Sequence, residues 1–257
     1  MALNRRPSPH VPLLASTAAL AVLAALEFAP PAGAAGTSAG SASANTASAN
    51  AAAAPASLAS ASTASTASTA STVVQREWIT VSASSYTTTY ATVRVYGMAG
   101  TKKVEVLGPW TARVGYNGIA KPGAKREGDG KTPSGTYGFA FFFGIDKNPG
   151  VSFPYRPVHA YNQWDDDPKS PLYNEWVDVR HQNPGKAPEP MDDPPFYDYG
   201  AVISYNTART PGLGSAIFLH VGDGGDTAGC VALPVTDLLK ILRWMKPWDH
   251  PTITITG

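Results

Sequence analysis

A chain of 257 residues with 20 basic and 19 acidic side chains has no charge excess to hold it on nucleic acid, and its single cysteine excludes an internal disulfide framework. Composition then divides it. A stretch nearly empty of large side chains precedes about 185 residues, from Val73 onward, that have apolar and aromatic material for one core of ordinary size.

At the N-terminus, Arg5 and Arg6 precede an apolar run from Val11 to Leu26, and Ala32-Gly33-Ala34 supplies the small residues that a signal peptidase reads. Residues 1–34 are therefore expected to be a secretory signal. The apolar run is interrupted by Pro12 and falls short of the roughly 20 residues a membrane span requires, and Pro7 and Ser8 directly after the arginines argue against twin-arginine export. Removal of this segment takes two basic residues and one acidic one, leaving a neutral chain. Residues 35–72 are almost only Ala, Ser, Thr, Gly and Asn, closing on four tandem Ala-Ser-Thr triplets at 61–72. Such side chains bury too little to offset ordering entropy, so a flexible linker is expected.

Within 73–257 the local patterns are mostly those of strands: 93–96, 104–107, the aromatic-rich 136–143 and the alternating 252–256. One stretch is helical. Thr236 to Met245 places Leu238, Leu239, Ile241, Leu242 and Met245 on one broad face, and Pro247 follows its end. The expectation is a single mainly β domain with one short helix after the strand that carries the cysteine.

Cys230 lies in Thr227-Ala228-Gly229-Cys230-Val231, ten residues after His220, which ends the apolar run from Ala216. A lone cysteine is commonly a small apolar core residue. In an exported protein, however, a free thiol risks oxidation, and its presence invites a chemical role. Val221 to Asp226 reads as the turn of a hairpin, which would make His220 and Cys230 cross-strand neighbours about 5 to 8 Å apart at their β-carbons. A thiol next to an imidazole is a potential nucleophile for acyl transfer. The backbone around Ala228, Gly229 and Cys230 could hold an oxyanion. His159, His181 and His250 have no comparable partner, and His10 lies in the expected signal.

Two separated motifs now make the chain resemble a known family, the L,D-transpeptidase catalytic domain of bacterial peptidoglycan cross-linking. Arg126-Glu127-Gly128-Asp129-Gly130-Lys131-Thr132-Pro133-Ser134-Gly135-Thr136-Tyr137 is similar to the family's early glycine-rich loop leading into a strand. Ile217-Phe218-Leu219-His220, followed by Thr227-Ala228-Gly229-Cys230-Val231, is similar to its catalytic histidine and Ser/Thr-His-Gly-Cys signature. The chain is a divergent member, with Ala228 where that signature has histidine, Ala232 where arginine or asparagine is usual, and a shorter gap between histidine and cysteine. The resemblance implies an L,D-transpeptidase-like β-sandwich with Cys230 as nucleophile and His220 as its base. It also implies 3-3 cross-linking of peptidoglycan stem peptides, both donor and acceptor, with no cofactor and no metal, by a cell-wall-associated monomer. L,D-carboxypeptidase action with water as acceptor, or wall binding without turnover, are the alternatives. A papain-type hydrolase is disfavoured, because its cysteine precedes its histidine.

Residues 144–200 form a long insertion between the motifs, rich in aromatic residues, prolines and the triplet Asp165-Asp166-Asp167. It is expected either as a lid or one wall of a substrate groove, with carboxylates meeting the amines of stem peptides, or as a proline-stiffened surface loop whose aromatics pack on the sheet. The aspartates lack the alternating spacing of a calcium loop. Gly130-Lys131-Thr132 is similar to the end of a phosphate loop, but Lys125 stands where the required glycine would be. Substrate contacts are expected from Thr227, Tyr205, Asn206, Arg209, Trp164, Lys131 and Thr132.

Overall fold

The computed structural model describes residues 76–257; the expected signal at 1–34 and linker at 35–72 lie outside the described residues. Strands β1 (Trp78–Ala83) and β2 (Tyr90–Ala99) alternate buried Ile79, Val81, Ala91, Val93 and Val95 with more exposed neighbours. That period of two is what a sheet with one face on a core requires. β3 (Lys102–Arg113) returns antiparallel along β2, with register shifts between Val93 and Tyr96. β4 (Ile119–Ala120) and β5 (Thr132–Pro133) form a short parallel pair. The aromatic-rich stretch is split at Gly138 into β6 (Gly135–Tyr137) and β7 (Phe139–Gly144), which lie at different places in the sheet.

The insertion is packed structure. β8 (Tyr155–Pro157) runs parallel to β7. β9 (Asn162–Trp164), β10 (Trp176–Asp178) and β11 (Glu189–Pro190) make a separate three-stranded sheet in the order β10-β9-β11. Then follow β12 (Gly200–Ile203), β13 (Phe218–Val221), β14 (Val231–Leu233), helix α1 (Val235–Trp244) and β15 (Thr252–Thr256). Ten strands form one curled mixed sheet, in the order β6-β15-β1-β2-β3-β14-β13-β12-β7-β8. The fold is mainly β with a single short helix after the cysteine, as the sequence implies.

Two cores lie in this arrangement. The larger joins Ile79, Val81, Val93, Val95, Ile253 and Ile255 to Leu238, Ile241 and Leu242 of α1. Each such side chain contributes about 1.5–3 kcal/mol on burial. Asp237 in the first turn of α1 and Arg243 in the last suit the helix dipole. The smaller core is aromatic: Trp164, Tyr197, Phe143 and Phe218 surround Cys230, and the insertion supplies the first two. β12, β13 and β14 are buried at every position, as central strands covered on both faces must be.

The expected hairpin between His220 and Cys230 is absent. β13 and β14 run parallel, pairing Leu219 with Val231, His220 with Ala232 and Val221 with Leu233. The intervening chain does not turn back along β13. It crosses to the end of β3, where Thr227 N–H donates to Val114 O at 3.0 Å and Tyr116 N–H donates to Thr227 O at 2.7 Å, and re-enters the sheet in the original direction. Gly222 makes the exit possible, since a Cβ there would stand 2.9 Å from that of Ala232.

Candidate active site

Side chains two positions apart on a strand share a face, and directly paired residues of parallel strands do as well. The His220–Ala232 pair sets the register, and Cys230, in the bend that leads into β14, shares a buried cluster with Phe218, two residues from His220 on the same face of β13. Cys230 and His220 both open on one cavity of about 430 Å³. Thr227, Ala228, Gly229 and Ala232 line it too. Their proximity thus rests on a parallel register, a geometry different from the hairpin that the sequence suggests.

The thiol is held by two backbone groups. Phe218 N–H donates to Cys230 Sγ at 3.3 Å, and Sγ donates to Ala216 O at 3.3 Å. Burial pushes the thiol well above its ordinary pKa; nearby Glu189 pushes the same way, and the Phe218 N–H opposes it. The imidazole is equally enclosed, with Nδ1 2.7 Å from Val221 O and the ring edge-on to Tyr197 at 5.5 Å. A carbonyl can only accept, so Nδ1 carries the hydrogen and Nε2 is left as the basic nitrogen. Burial lowers this histidine to about 4, against the pull of the Val221 and Phe196 carbonyls. At neutral pH both groups are uncharged, and no hydrogen bond joins them among the described residues.

The glycine-rich loop is tied to the cysteine from 98 residues away in sequence. Thr132 Oγ1 accepts from Gly115 N–H at 2.9 Å and donates to Cys230 O at 3.1 Å. Thr227 Oγ1 also donates to Cys230 O, at 2.8 Å, and accepts the Gly229 N–H at 3.1 Å. Gly229 is fixed by close approach: a Cβ there would lie 3.1 Å from Lys131 O and 3.3 Å from Ile217 Cδ1.

The remaining expected contacts divide between two places. Thr132 is wholly buried and acts on the site through the Cys230 carbonyl, without reaching the cavity surface. Lys131 meets the cysteine loop through its backbone, its N–H donating to Asp129 Oδ1 at 2.9 Å. Trp164 is buried edge-on against Phe218 at 5.0 Å. It also borders a second, smaller pocket with Tyr205 and Arg209, where Arg209 is paired with Glu175. Asn206 organises its own loop, donating through Nδ2 to Thr210 O and Gly214 O. These residues support the site from behind and do not line the main cavity.

Of the carboxyl groups of that cavity, Asp166 belongs to the insertion whose carboxylates the sequence suggests for a groove wall, whereas Glu127 and Glu189 were not singled out as cavity carboxyls. Glu127 Oε2 accepts from Ser215 Oγ at 2.7 Å and from the Tyr173 hydroxyl, and Glu189 accepts from the Tyr197 hydroxyl. Burial, reinforced by Asp166, Asp193 and Glu127, raises Glu189 to about 8. Burial raises Asp166 to about 7, opposed by the Ser215 hydroxyl and aided by Glu127 and Asp165. The buried cation in the same wall, Lys125, is engaged by Asp129 at 2.6 Å and by Arg126 O at 2.8 Å. The wall facing the thiol is therefore acid-rich. These acids come from three distant segments, and no local spacing announces them.

Residues 76–255 match the family model YkuD, described as the L,D-transpeptidase catalytic domain. The chain belongs to this family. No curated protein matches it. Among solved structures, the helical cell shape determining protein Pgp2 from Campylobacter jejuni is similar at 15% identity, with a TM-score of 0.34. The match covers 71% of this chain and 48% of that one, so the chain spans about half of that protein's length, and nothing about activity follows from so distant a likeness. Membership makes this a domain of cell-wall, peptidoglycan-related type. No described helix is long and apolar enough to cross a membrane.

Proposed function

We propose that this YkuD domain is an exported, cell-wall-associated cysteine acyltransferase that forms 3-3 cross-links between peptidoglycan stem peptides. The observation that carries the proposal is the opening of Cys230 and His220 into a single acid-walled cavity. The thiol passes its proton to His220 Nε2 as sulfur attacks the carbonyl at the L-centre of the donor's third residue. The N–H groups of Ala228 and Cys230 face the developing oxyanion, since that of Gly229 is held by Thr227. Collapse breaks the amide, terminal D-alanine leaves with the imidazolium proton, and a thioester remains. An acceptor amine attacks the thioester, gives its proton to His220, and the thiol is restored as the new amide forms. No cofactor or metal takes part in these steps.

Glu127, Asp166 and Glu189 favour an amine over water as acceptor. A protonated amine entering the cavity is drawn to these carboxyl groups, and its charge promotes ionisation of Asp166 and Glu189, which can take the proton that the amine must lose before it attacks. The expected signal at residues 1–34 supports delivery outside the cytoplasm.

Incubation with a tetrapeptide stem donor and a stem acceptor, with products resolved by mass, tests the proposal. The wild type should yield dimers and free D-alanine, and Cys230→Ala and His220→Ala should each lose about a thousandfold or more. Tripeptide without dimer would assign the domain to L,D-carboxypeptidase action. Peptidoglycan binding that survives Cys230→Ala, with no product from the wild type, would leave a wall-binding protein. The parked, uncharged thiol and the alanines at 228 and 232 favour that last reading over other non-enzymatic ones.

A further inference from the structure

The backbone that holds the thiol is unusual at one point. Ala216, whose carbonyl accepts from Cys230 Sγ, has φ of +50°, a left-handed conformation in which a side chain with Cβ is disfavoured. Two residues later, Phe218 supplies the N–H that donates to the same sulfur. The path from 216 to 218 thus sets both contacts of the thiol. Something must hold Ala216 in that conformation.

The Asn174 side chain does so. Its Oδ1 accepts from Ala216 N–H at 3.2 Å and from Trp164 Nε1 at 3.0 Å. Its Nδ2 donates to Asn206 O at 3.0 Å and to Tyr205 O at 3.2 Å. Two acceptor positions and two donor hydrogens are all used, which exhausts what a primary amide offers. The four bonds reach three parts of the frame around the sulfur: Ala216 itself, the Trp164 ring packed on Phe218, and, through two of them, the start of the loop that leads to Ala216. Asn174 is itself left-handed at φ +60°, which aims its amide inward from the turn before β10.

We infer that Asn174 is a positioning residue for the Cys230 nucleophile, clamping Ala216 in its left-handed conformation so that the Ala216 carbonyl and the Phe218 N–H fix the sulfur in the cavity. The inference rests on the reading of Cys230 as the nucleophile. It does not depend on which acyl donor or acceptor is used. It gives the 144–200 insertion a specific task, the bracing of the nucleophile from behind.

The test compares wild type, Asn174→Gly, Ala216→Gly and the double variant in the full chain. Glycine at 174 removes the amide while accepting the φ of +60°. Two readouts are taken on protein shown to be folded by circular dichroism: the rate of Cys230 alkylation by iodoacetamide at one mildly alkaline pH, and turnover of a tetrapeptide stem. Loss of the clamp lets Ala216 leave the left-handed region. Alkylation should then rise by about tenfold as the sulfur is freed, while kcat falls by roughly ten- to a hundredfold with KM little changed. Glycine at 216 tolerates that conformation without the clamp, so the Asn174→Gly change should cost far less in the Ala216→Gly background, with Ala216→Gly itself as the reference, than it does in the wild type. A role in stability alone predicts no such difference.

Should Asn174→Gly prove too unstable to assay, Asn174→Ser carries the same contrast, since its shorter side chain does not bridge Ala216 N–H to the Tyr205 and Asn206 carbonyls. Wild-type alkylation and kcat in a folded Asn174 variant, or an undiminished cost of the Asn174 change in the Ala216→Gly background, would overturn the inference. A wild type that is alkylated but turns over no stem peptide would instead sink the transpeptidase reading, and the alkylation contrast would still decide the role of Asn174.

Discussion

At the residue scale, the buried imidazole and the buried acids act on stability in opposite directions with pH. His220 is lowered by burial from 6.5 to about 4, so the unfolded chain binds more protons between those values. Its contribution is full above pH 6.5 and is lost as pH falls toward 4, by about 3 kcal/mol at most. His220→Gln, neutral and still able to donate to Val221 O, should lose less stability than wild type when urea unfolding is compared across that window. Equal slopes would mean that the imidazole is already charged in the fold. Glu189 has the opposite sign. Burial raises it from 4.5 to about 8, so its effect is harmless below 4.5 and the folded state is progressively penalised as pH climbs to 8. Glu189→Gln keeps an oxygen for the Tyr197 hydroxyl and should raise the Tm by a few degrees at pH 8, with a smaller gain near pH 4.5. A Tm unchanged at both pH values would remove Glu189 from the coupled acids.

At the element scale, the site depends on β5 and the loop that leads into β14 meeting at the Cys230 carbonyl. Thr132→Val keeps the shape of β5 but leaves Gly115 N–H without its acceptor and removes one of two hydroxyls from Cys230 O. An unpaired buried donor costs about 1–3 kcal/mol, so denaturant unfolding should register that loss. Stem-peptide turnover should fall as well, because the cysteine loop loses an anchor. Full activity with unchanged stability would show that Thr227 alone suffices. The sequence made β2, β15 and α1 legible, since their apolar positions repeat at periods of 2 and 3.6, and 104–107 marked part of β3, whereas β1 was not read; α1 begins and ends one residue earlier than its pattern suggests. The direction of β14 was not legible. Val221 to Asp226 has the glycines and aspartates of a tight turn, but the long-range bonds from Thr227 to Val114 and Tyr116 override the local preference. A two-residue periodicity tells which face a side chain takes and is silent on strand direction, which is why His220 and Cys230 could be placed together for a geometrically wrong reason.

For the whole molecule, the two motifs carried the identification because folding closes the distance between them: the glycine-rich loop touches the cysteine through Thr132. What remained hidden is what depends on the insertion. Trp164 and Tyr197 share the buried cluster of Cys230, Asn174 binds Trp164 and Ala216 beside it, and Asp166 and Glu189 line the cavity; none of these contacts follows from a local pattern. The insertion packs behind Cys230 and supplies part of the acid wall. A buried, neutral thiol beside a neutral imidazole in an acid-walled cavity is suited to acyl transfer only if substrate binding draws the sulfur away from Ala216 O. The most direct test is the intact mass of the protein after exposure to a purified tetrapeptide stem, for wild type, Cys230→Ala and His220→Ala. The account predicts a tripeptide adduct on the wild type alone, with one D-alanine released per adduct. A folded wild type that gains no adduct and releases no D-alanine, or an adduct that persists in Cys230→Ala, would contradict it.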